Sequence, residues 1–504
     1  MGPERCCIPH LLQGHRQPGA FDAFCKPGAQ MNLGRREVEP PDSFLRRIQH
    51  IARVRPEAAA IESPGLRMSF AELLAEVQRV QERLQSAGIQ TTAMVGIATE
   101  NEIEHLIQTI ALLAIQANQF TLAPFDAPAA RSKLERFLGA THRLQSNQVI
   151  ELPQAPAAHE RRCSGRLHLA TSGTSGGAKL VALNEQALIS QAPRHVETAD
   201  QRFACLAPIQ HNFAKRHRLY CVAQGAANLF FGGRNPGQCV SECEQLGATV
   251  LHLSALQARQ LLSTPGSPYF RRIRLKIGGS HVPLSLRQRI QQELTADLWT
   301  GYGTTETGAI AFAKRDDHDE LECVGPPLPG LTVSIRDQAG AILPAGERGE
   351  ITVRSDGLFL GYVSESRELQ PSAVDGCFAT GDVGFIDHRG RLIVCGRQDD
   401  MFVFNSMNIY PQEIESCIRN HAAVRDAAVI PKPSPVHGDI PVTLIEVEPG
   451  SAFDAGELRR WVQQQVGIRC PRQFFVVDQL PRHPSGKLDR TTARALYEQT
   501  STHD

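Results

Sequence analysis

Between Ser69 and Leu84 the apolar positions recur at helical spacing. Leu73, Val77, Val80 and Leu84 fall on one stripe, which predicts an amphipathic helix. Ser69 is placed to cap it, and Glu72 stands at the capping-box distance. The run Ala93-Met94-Val95-Gly96-Ile97-Ala98 is apolar throughout, as a parallel strand buried on both faces is, and a helical stretch follows through Leu113. The same alternation recurs around 166–190, 204–232 and 249–262, and it predicts an α/β fold with buried sheets covered by helices. From Gly349 the pattern changes. Ile351, Val353, Phe385-Ile386 and Leu392-Ile393-Val394 read as short antiparallel strands, with Asp387-His388-Arg389-Gly390 as a turn. After Arg397 a compact α+β segment is expected. Pro411 opens a helix, Ala427–Ile430 and Val442–Val447 are strands, and Asp454 caps a further helix. The boundary is placed at Gln398–Asp399 with no long linker, so the joint is expected to be a tight hinge.

With 504 residues, two or more domains are expected. Lys plus Arg equals Asp plus Glu at 53 each, which gives no electrostatic case for nucleic acid or an anionic membrane surface. The basic run Arg271, Arg272, Arg274 and Lys276 reads as a solvated strand edge. The 13 cysteines are an odd number, single along the chain apart from Cys6-Cys7 and the four-apart Cys239 and Cys243, which suits reduced thiols in a cytoplasmic protein. No apolar run has membrane-spanning length, since Gln108 and Gln116 interrupt Leu106 to Ala117. Residues 1–40 read as a disordered leader, with Met1 or Met31 as the start. The large domain is then 41–398 and the small one 399–504.

Four motifs carry candidate chemistry. The first, Thr171-Ser172-Gly173-Thr174-Ser175-Gly176-Gly177-Ala178-Lys179, combines glycines, hydroxyls and a lysine. Glycine lets backbone N–H groups approach phosphate oxygens, hydroxyls add donors and lysine adds charge. It lacks the Gly-Lys-Ser/Thr of a Walker loop. The second is Gly301-Tyr302-Gly303-Thr304-Thr305-Glu306, and the third is Thr380-Gly381-Asp382 with Gly396-Arg397 downstream. The fourth is Pro481-Arg482-His483-Pro484-Ser485-Gly486-Lys487-Leu488-Asp489-Arg490, a loop that cannot be helix interior.

In this order the four motifs resemble those of the acyl-adenylate-forming superfamily, which includes acyl-CoA synthetases, aryl-acid ligases, peptide-synthetase adenylation domains and beetle luciferases. The resemblance runs from about Asp42 to about Leu496. It implies a large N-terminal αβ domain and a small mobile C-terminal α+β domain. The implied activity is ATP-dependent conversion of a carboxylic acid to acyl-AMP, then to a thioester with CoA or the phosphopantetheine of an acyl carrier protein. It further implies that Thr171, Ser172, Gly173, Thr174, Ser175, Gly176 and Lys179 bind the phosphates, with Thr174 and Lys179 engaged in the chemistry. Ser175 and Ala178 stand where the family has Thr and Pro. Tyr302 would pack on adenine, with Gly279 backbone and Gly303 nearby. Thr304 or Thr305 would meet the α-phosphate, Glu306 would hold Mg²⁺, and Asp382 would accept the ribose hydroxyls beside Arg397. Asp399 would be the hinge, and Lys487 would offset charge during adenylation.

His211, Asn212 and Phe213, with Gly278, Gly303 and Gly308, would line the acid pocket, His211 nearest the carboxylate. Amino-acid-activating members carry an aspartate where this chain has Asn212, so an α-amino acid is disfavoured, because an amide cannot compensate a buried ammonium. The His-Asn pair resembles hydroxybenzoate-activating members, in which the amide bonds a ring hydroxyl. The alternatives are that Asn212 satisfies a backbone group, and that the acid is a fatty acid. Ser406 stands where the thiol-tunnel segment usually has glycine. A carrier-protein-specific ligase and a non-catalytic binding protein are the rival readings.

Overall fold

The computed structural model describes residues 43–153, 165–171, 179–231, 236–264, 269–318, 322–434, 436–482 and 487–500. Residues Asp42–Asp504 form one compact unit. The expected leader lies outside the described residues.

The first helix expected from the apolar stripe is Phe70–Ser86, with Phe70, Leu73, Val77, Val80 and Leu84 buried. Its capping box is complete: the Ser69 N–H donates to Glu72 Oε2 at 2.7 Å, and the Glu72 N–H to Ser69 Oγ at 3.2 Å. The apolar run beyond it becomes the strand Met94–Ile97, paired in parallel with Asn118–Thr121 and His142–Gln145. Helix Glu102–Ala114 follows, buried along most of its length. It and helix Asn212–Gln224 pack in the largest apolar cluster, between two eight-stranded sheets.

One sheet is parallel from Leu298–Thr304 through Arg274–Ile277, Val250–Leu253, Arg202–Cys205 and Ala227–Leu229 to Ala59–Ser63. Antiparallel strands Gly308–Ala313 and Leu66–Ser69 close its two ends. In the other, Arg166–Thr171 pairs antiparallel with Lys179–Asn184. The expected strand–helix unit at 166–190 is therefore a hairpin that precedes its helix, Glu185–Gln191. An antiparallel sheet follows, ordered Cys323–Gly325, Leu392–Arg397, Cys377–Ile386, Gly349–Arg354 and Thr332–Arg336.

Beyond Arg397 the small domain has its own five-stranded sheet. Pro411 opens helix Pro411–Arg419, and Asp454 Oδ1 caps Ala455–Val466 by accepting from the Gly456 and Glu457 N–H groups at 2.7 and 3.1 Å. The apolar clusters of this part begin at Phe402, and those of the large domain end at Val394. Among the described residues, no helix is long and apolar enough to cross a membrane.

One expectation about a surface position changes, and one departure from the family pattern gains a backbone context. Lys276 is fully buried: it lies mid-strand, and its Nζ donates to the His195 carbonyl at 2.9 Å, so it leaves the solvated edge, where Arg271 and Arg272 are exposed as expected. Ser406 is exposed in the turn between Phe402–Phe404 and Met407–Ile409, and both Asn405 (φ 48°) and Ser406 (φ 60°) are left-handed there. Two successive positive φ values match a primed hairpin turn, whose right-handed twist suits the flanking strands. The departure from glycine at 406 thus bears on backbone conformation. Ser406→Gly should raise stability by about 0.5–1 kcal/mol, the balance of left-handed strain and glycine's extra unfolded entropy. Urea midpoints of the two proteins test it, and an unchanged or lower midpoint would contradict it.

Candidate functional site

The site lies where three sheets and the small domain converge. Thr171 and Lys179 are the last paired residues of the hairpin, and Thr171 Oγ1 donates to the Lys179 carbonyl at 3.1 Å. Ser172, Gly173, Thr174, Ser175 and Gly176 lie outside the described residues. Lys179 is exposed, and its Nζ sits 5.3 Å from the centroid of the Tyr362 ring. The Tyr362 hydroxyl donates to Glu306 Oε1 at 2.8 Å. Burial and the Glu306 charge push that hydroxyl well above its usual range. Tyr362 escaped the sequence reading. The only signal for it was Gly361-Tyr362 ahead of a polar turn, and nothing local says that it pairs beside Lys179 through the strand contact with residues 180–182.

Glu306 stands in the turn between Leu298–Thr304 and Gly308–Ala313. The hairpin arms cross so closely at Gly303 that a Cβ there would lie 2.2 Å from the Gly308 carbonyl oxygen, so both positions are kept to glycine by contact, and Gly308 also by its φ of 71°. The Thr304 N–H donates to Thr307 Oγ1 and the Thr307 N–H to Thr304 Oγ1, each at 3.3 Å. Two arginines hold the turn from behind. Arg216 Nη1 donates to the Thr305 carbonyl at 3.1 Å, and Arg194 Nη1 to that of Thr307 at 3.0 Å. Glu306 Oε2 has no hydrogen-bond partner among the described residues. A lone carboxylate suits Mg²⁺, which keeps several waters and takes phosphate oxygens. No group of three or more His, Cys, Asp or Glu able to hold a metal occurs among the described residues.

A knot of charge forms at Asp382, which is 8% exposed. The Tyr302 hydroxyl donates to its Oδ2 at 2.6 Å, and Arg397 Nη1 to its Oδ1 at 3.2 Å. Asp382 and Arg397 are register partners on neighbouring strands, and Arg397 also reaches the Thr380 carbonyl at 2.8 Å and Asp399 Oδ2 at 3.3 Å. Burial pushes the Asp382 carboxyl up, while Tyr302, Arg397 and the charge of Lys487 pull it back.

The base of the Lys487 loop is clamped. Arg482 and Leu488 form an isolated bridge, and the Asp489 N–H donates to the Pro481 carbonyl at 2.9 Å. Arg490 donates to Asp400 Oδ2 at 3.0 Å and to both oxygens of Glu415 at 2.6 and 3.0 Å. Residues 483–486 lie outside the described residues. The domains meet through polar contacts: Gln412 with Glu322 at 3.2 Å, Ser416 with His281 at 3.3 Å, Arg348 with Glu413 at 2.8 Å, and the Ser285 N–H with Asn420 Oδ1 at 3.1 Å.

On the acid side, His211 is the N-cap residue of helix Asn212–Gln224, and its ring stacks on Phe125 at 4.8 Å. Burial lowers its pKa, opposed by Asp126. An Asn212 amide N–H donates to the Ala170 carbonyl, tying the helix to the strand that leads into the phosphate loop. This is the backbone alternative, and it occupies one of the N–H groups that the hydroxybenzoate-like reading would give to a ring hydroxyl. Phe213 packs on His217 and His252, with centroids 4.1 and 4.0 Å apart. Gly278 stands at the end of strand Arg274–Ile277 beside His252, and Gly279, with φ 87°, follows in the open. The structure therefore brings together Lys179, Tyr302, Glu306, Asp382, Arg397 and Lys487 in one cleft, with the His211–Phe213 helix end beneath it.

Residues 167–363 match the family described as AMP-binding enzyme, and residues 413–487 match the AMP-binding enzyme C-terminal domain. A 7a-methyl-1,5-dioxo-octahydro-1H-inden-4-yl-propanoyl:CoA ligase of Mycobacterium tuberculosis is 29% identical over 65% of this chain and 66% of its own length. The same-named enzyme of Rhodococcus jostii is 28% identical over 64% of each, so the chain spans just under two thirds of these two relatives. A 4-chlorobenzoate–CoA ligase of an Arthrobacter species is 26% identical over 87% of this chain and 92% of that one. Among solved structures, amide bond synthetase McbA of Marinactinospora thermotolerans aligns with a TM-score of 0.78 at 24% identity, covering 90% of this chain and 99% of that one. The o-succinylbenzoate CoA synthetase MenE of Bacillus subtilis, with its acyl-adenylate, gives 0.74 at 23%, covering 88% and 97%. At these identities the structural likeness speaks for the fold.

Asp382 supplies a direct check of the cleft. Asp382→Asn keeps the shape but removes the charge that pairs with Arg397. ATP binding measured by calorimetry should weaken roughly tenfold or more, the worth of a hydrogen bond to a charged group. ATP lacking its 2′-hydroxyl should lose less in the variant than in the parent. Equal affinity of the two proteins for ATP would remove Asp382 from the nucleotide site.

Proposed function

The chain belongs to the acyl-adenylate-forming superfamily of AMP-binding enzymes, and we propose that it joins a carboxylic acid to the thiol of CoA in two steps driven by ATP. In the first, a carboxylate oxygen attacks the α-phosphorus of ATP, the bond to the bridging oxygen breaks, and pyrophosphate leaves with its electron pair. In the second, the thiolate sulfur attacks the acyl carbon, and AMP departs. A phosphopantetheine arm on a carrier protein presents the same thiol.

One observation carries this reading: the buried Asp382 is held by Tyr302 and by Arg397, at the end of the last strand before the small domain, beside the Tyr362–Glu306 pair that Lys179 borders. In-line transfer at phosphorus needs positioning and charge neutralisation rather than a protein nucleophile. Lys487 is set to offset the charge that grows between carboxylate and phosphate. Lys179 serves the leaving pyrophosphate, and the Asp382–Arg397 pair receives the ribose. Tyr302 has a double role, its ring against adenine and its hydroxyl on Asp382. Glu306, oriented by Tyr362, would hold Mg²⁺, which when bound neutralises phosphate charge. Asp399, salt-bridged to Arg397 just past the last strand of the large domain, is the pivot about which the small domain turns for the second step.

Acid-dependent exchange of labelled pyrophosphate into ATP tests the first step. A protein that binds ATP but supports no exchange with any acid would be a non-catalytic binder. Lys487→Ala should lower the exchange rate roughly a hundredfold or more, as loss of one transition-state donor does. Transfer from preformed acyl-AMP to CoA should persist, because that step uses the other domain orientation. An equal fall in both steps would overturn the two-orientation mechanism.

Asp399→Pro should show the reverse. Proline fixes φ and stiffens a joint that must absorb the rotation. Adenylate still forms and pyrophosphate exchange continues, while thioester output measured by chromatography stalls. Undiminished thioester output would move the pivot elsewhere.

A further inference from the structure

A nearly buried carboxylate, Glu322, stands at the joint between the two domains, with its side chain 11% exposed. It directly precedes strand Cys323–Gly325, and its carbonyl accepts from the Val394 N–H at 3.1 Å. Its backbone is therefore fixed to the strand that ends at Arg397. His281 lies beside it, with Nε2 3.4 Å from Glu322 Oε2. Both residues belong to the large domain.

The small domain completes the group. Gln412 Nε2 donates to Glu322 Oε2 at 3.2 Å, and Ser416 Oγ lies 3.3 Å from His281 Nε2. Gln412 and Ser416 are four residues apart on helix Pro411–Arg419, so one face of that helix meets the pair. The same helix end is held again at Ser285, whose N–H donates to Asn420 Oδ1 at 3.1 Å and whose Oγ donates to the Arg419 carbonyl at 3.2 Å. Gly396 lets the helix start approach: a Cβ there would lie 3.4 Å from that of Tyr410 and 3.5 Å from that of Gln412.

Burial alone would raise the Glu322 carboxyl, yet His281, Ser416 and Arg419 hold it below its usual range. Two of these three come from the small domain, so the ionised carboxylate and the docked helix support each other. Glu322 Oε1 is buried with no hydrogen-bond partner among the described residues, so the charge depends on few contacts. Such a charge adds little to docking while its donors hold it, and it opposes docking strongly once one is lost.

Gln412 and Ser416 meet this pair only where the helix sits as it does here, and a rotation about Asp399 carries them away. In this orientation burial raises the Asp382 carboxyl and Lys487 is among the charges that draw it back. That is the arrangement acyl-AMP formation calls for. Resting on the acid-activation reading above, we propose that Glu322 and His281 are positioning residues for the first step. Through Gln412 and Ser416 they latch helix Pro411–Arg419 and hold the small domain where acyl-AMP is made. They act through the placement of that domain rather than on the reacting atoms. The latch must open before thiol transfer, so it favours the first step over the second.

Gln412→Leu tests it by enclosing the Glu322 carboxylate without that donor. Pyrophosphate exchange with benzoate, 4-chlorobenzoate, 4-hydroxybenzoate and octanoate measures the first step. Transfer to CoA from the synthetic acyl-AMP of the best of these acids measures the second. Exchange should fall roughly tenfold, the worth of a hydrogen bond to a charged group, while transfer holds or rises. Hydrogen exchange adds a readout free of catalysis: the peptide carrying the Ser285 N–H should lose protection in the variant. Adding Glu322→Gln to Gln412→Leu should recover part of the exchange rate, because the enclosed charge is gone. Ser416→Ala should act in the same direction as Gln412→Leu and takes its place if the leucine variant does not fold. An equal fall in both steps, exchange at the parent rate, or unchanged protection at Ser285 would overturn the latch and leave acid activation standing. No exchange by the parent protein with any of these acids would overturn acid activation itself, and the latch with it.

Discussion

The Asp382 carboxylate is the point on which the architecture turns. A buried charge persists only when partners replace the water it has lost, and here each partner comes from a different part of the chain. Tyr302 reaches it from the edge hairpin of a parallel sheet, Arg397 from the neighbouring antiparallel strand, and Lys487 acts on it from the small domain. Arg397 also holds Asp399, so the residue that steadies the carboxylate also grips the start of the small domain.

Much of this was legible in the sequence where a local rule suffices. The Ser69–Glu72 capping box, the apolar strand at 94–97, Pro411 at a helix start and Asp454 as a cap all rest on neighbours a few residues away. The described parts of the motifs come together through strand pairing: Lys179 and Thr304 stand at strand ends, and Asp382 and Arg397 are register partners on adjacent strands. What could not be read depended on distant contact. Tyr362 orients Glu306 across a strand pairing that no nearby spacing encodes. Lys276 looked like surface until its strand was found in mid-sheet with a carbonyl for its ammonium. For Asn212 both a ligand and a backbone partner were open, and the partner found, the Ala170 carbonyl, is far away in sequence. Ser406 carried a conformational signal, two left-handed residues in a row, that residue identity alone had hidden.

Helix Asn212–Gln224 shows the same limit more sharply. Lys215, Arg216, His217 and Arg218 follow one another, and all are buried. By pattern this is a solvated face. In the fold each cation is placed on an acceptor: Lys215 on Thr121 Oγ1 at 2.5 Å, Arg216 on the Thr305 carbonyl, and Arg218 on the Leu229 carbonyl at 2.6 Å. Burial pushes the Lys215 ammonium down to about 7. The helix thereby works as a polar brace between the sheets, and it gives the floor of the cleft a positive character suited to ATP and a carboxylate.

The contacts between the large and small domains are almost wholly hydrogen bonds and ion pairs, and among the described residues no apolar cluster spans them. Parting them exposes little hydrocarbon to water. Heat-capacity change tracks exposed apolar area, so swinging the small domain leaves almost no calorimetric trace. Two cores without shared apolar burial also lack the cooperativity that makes a chain melt all at once. Such a joint couples the two cores only through groups that water can also satisfy.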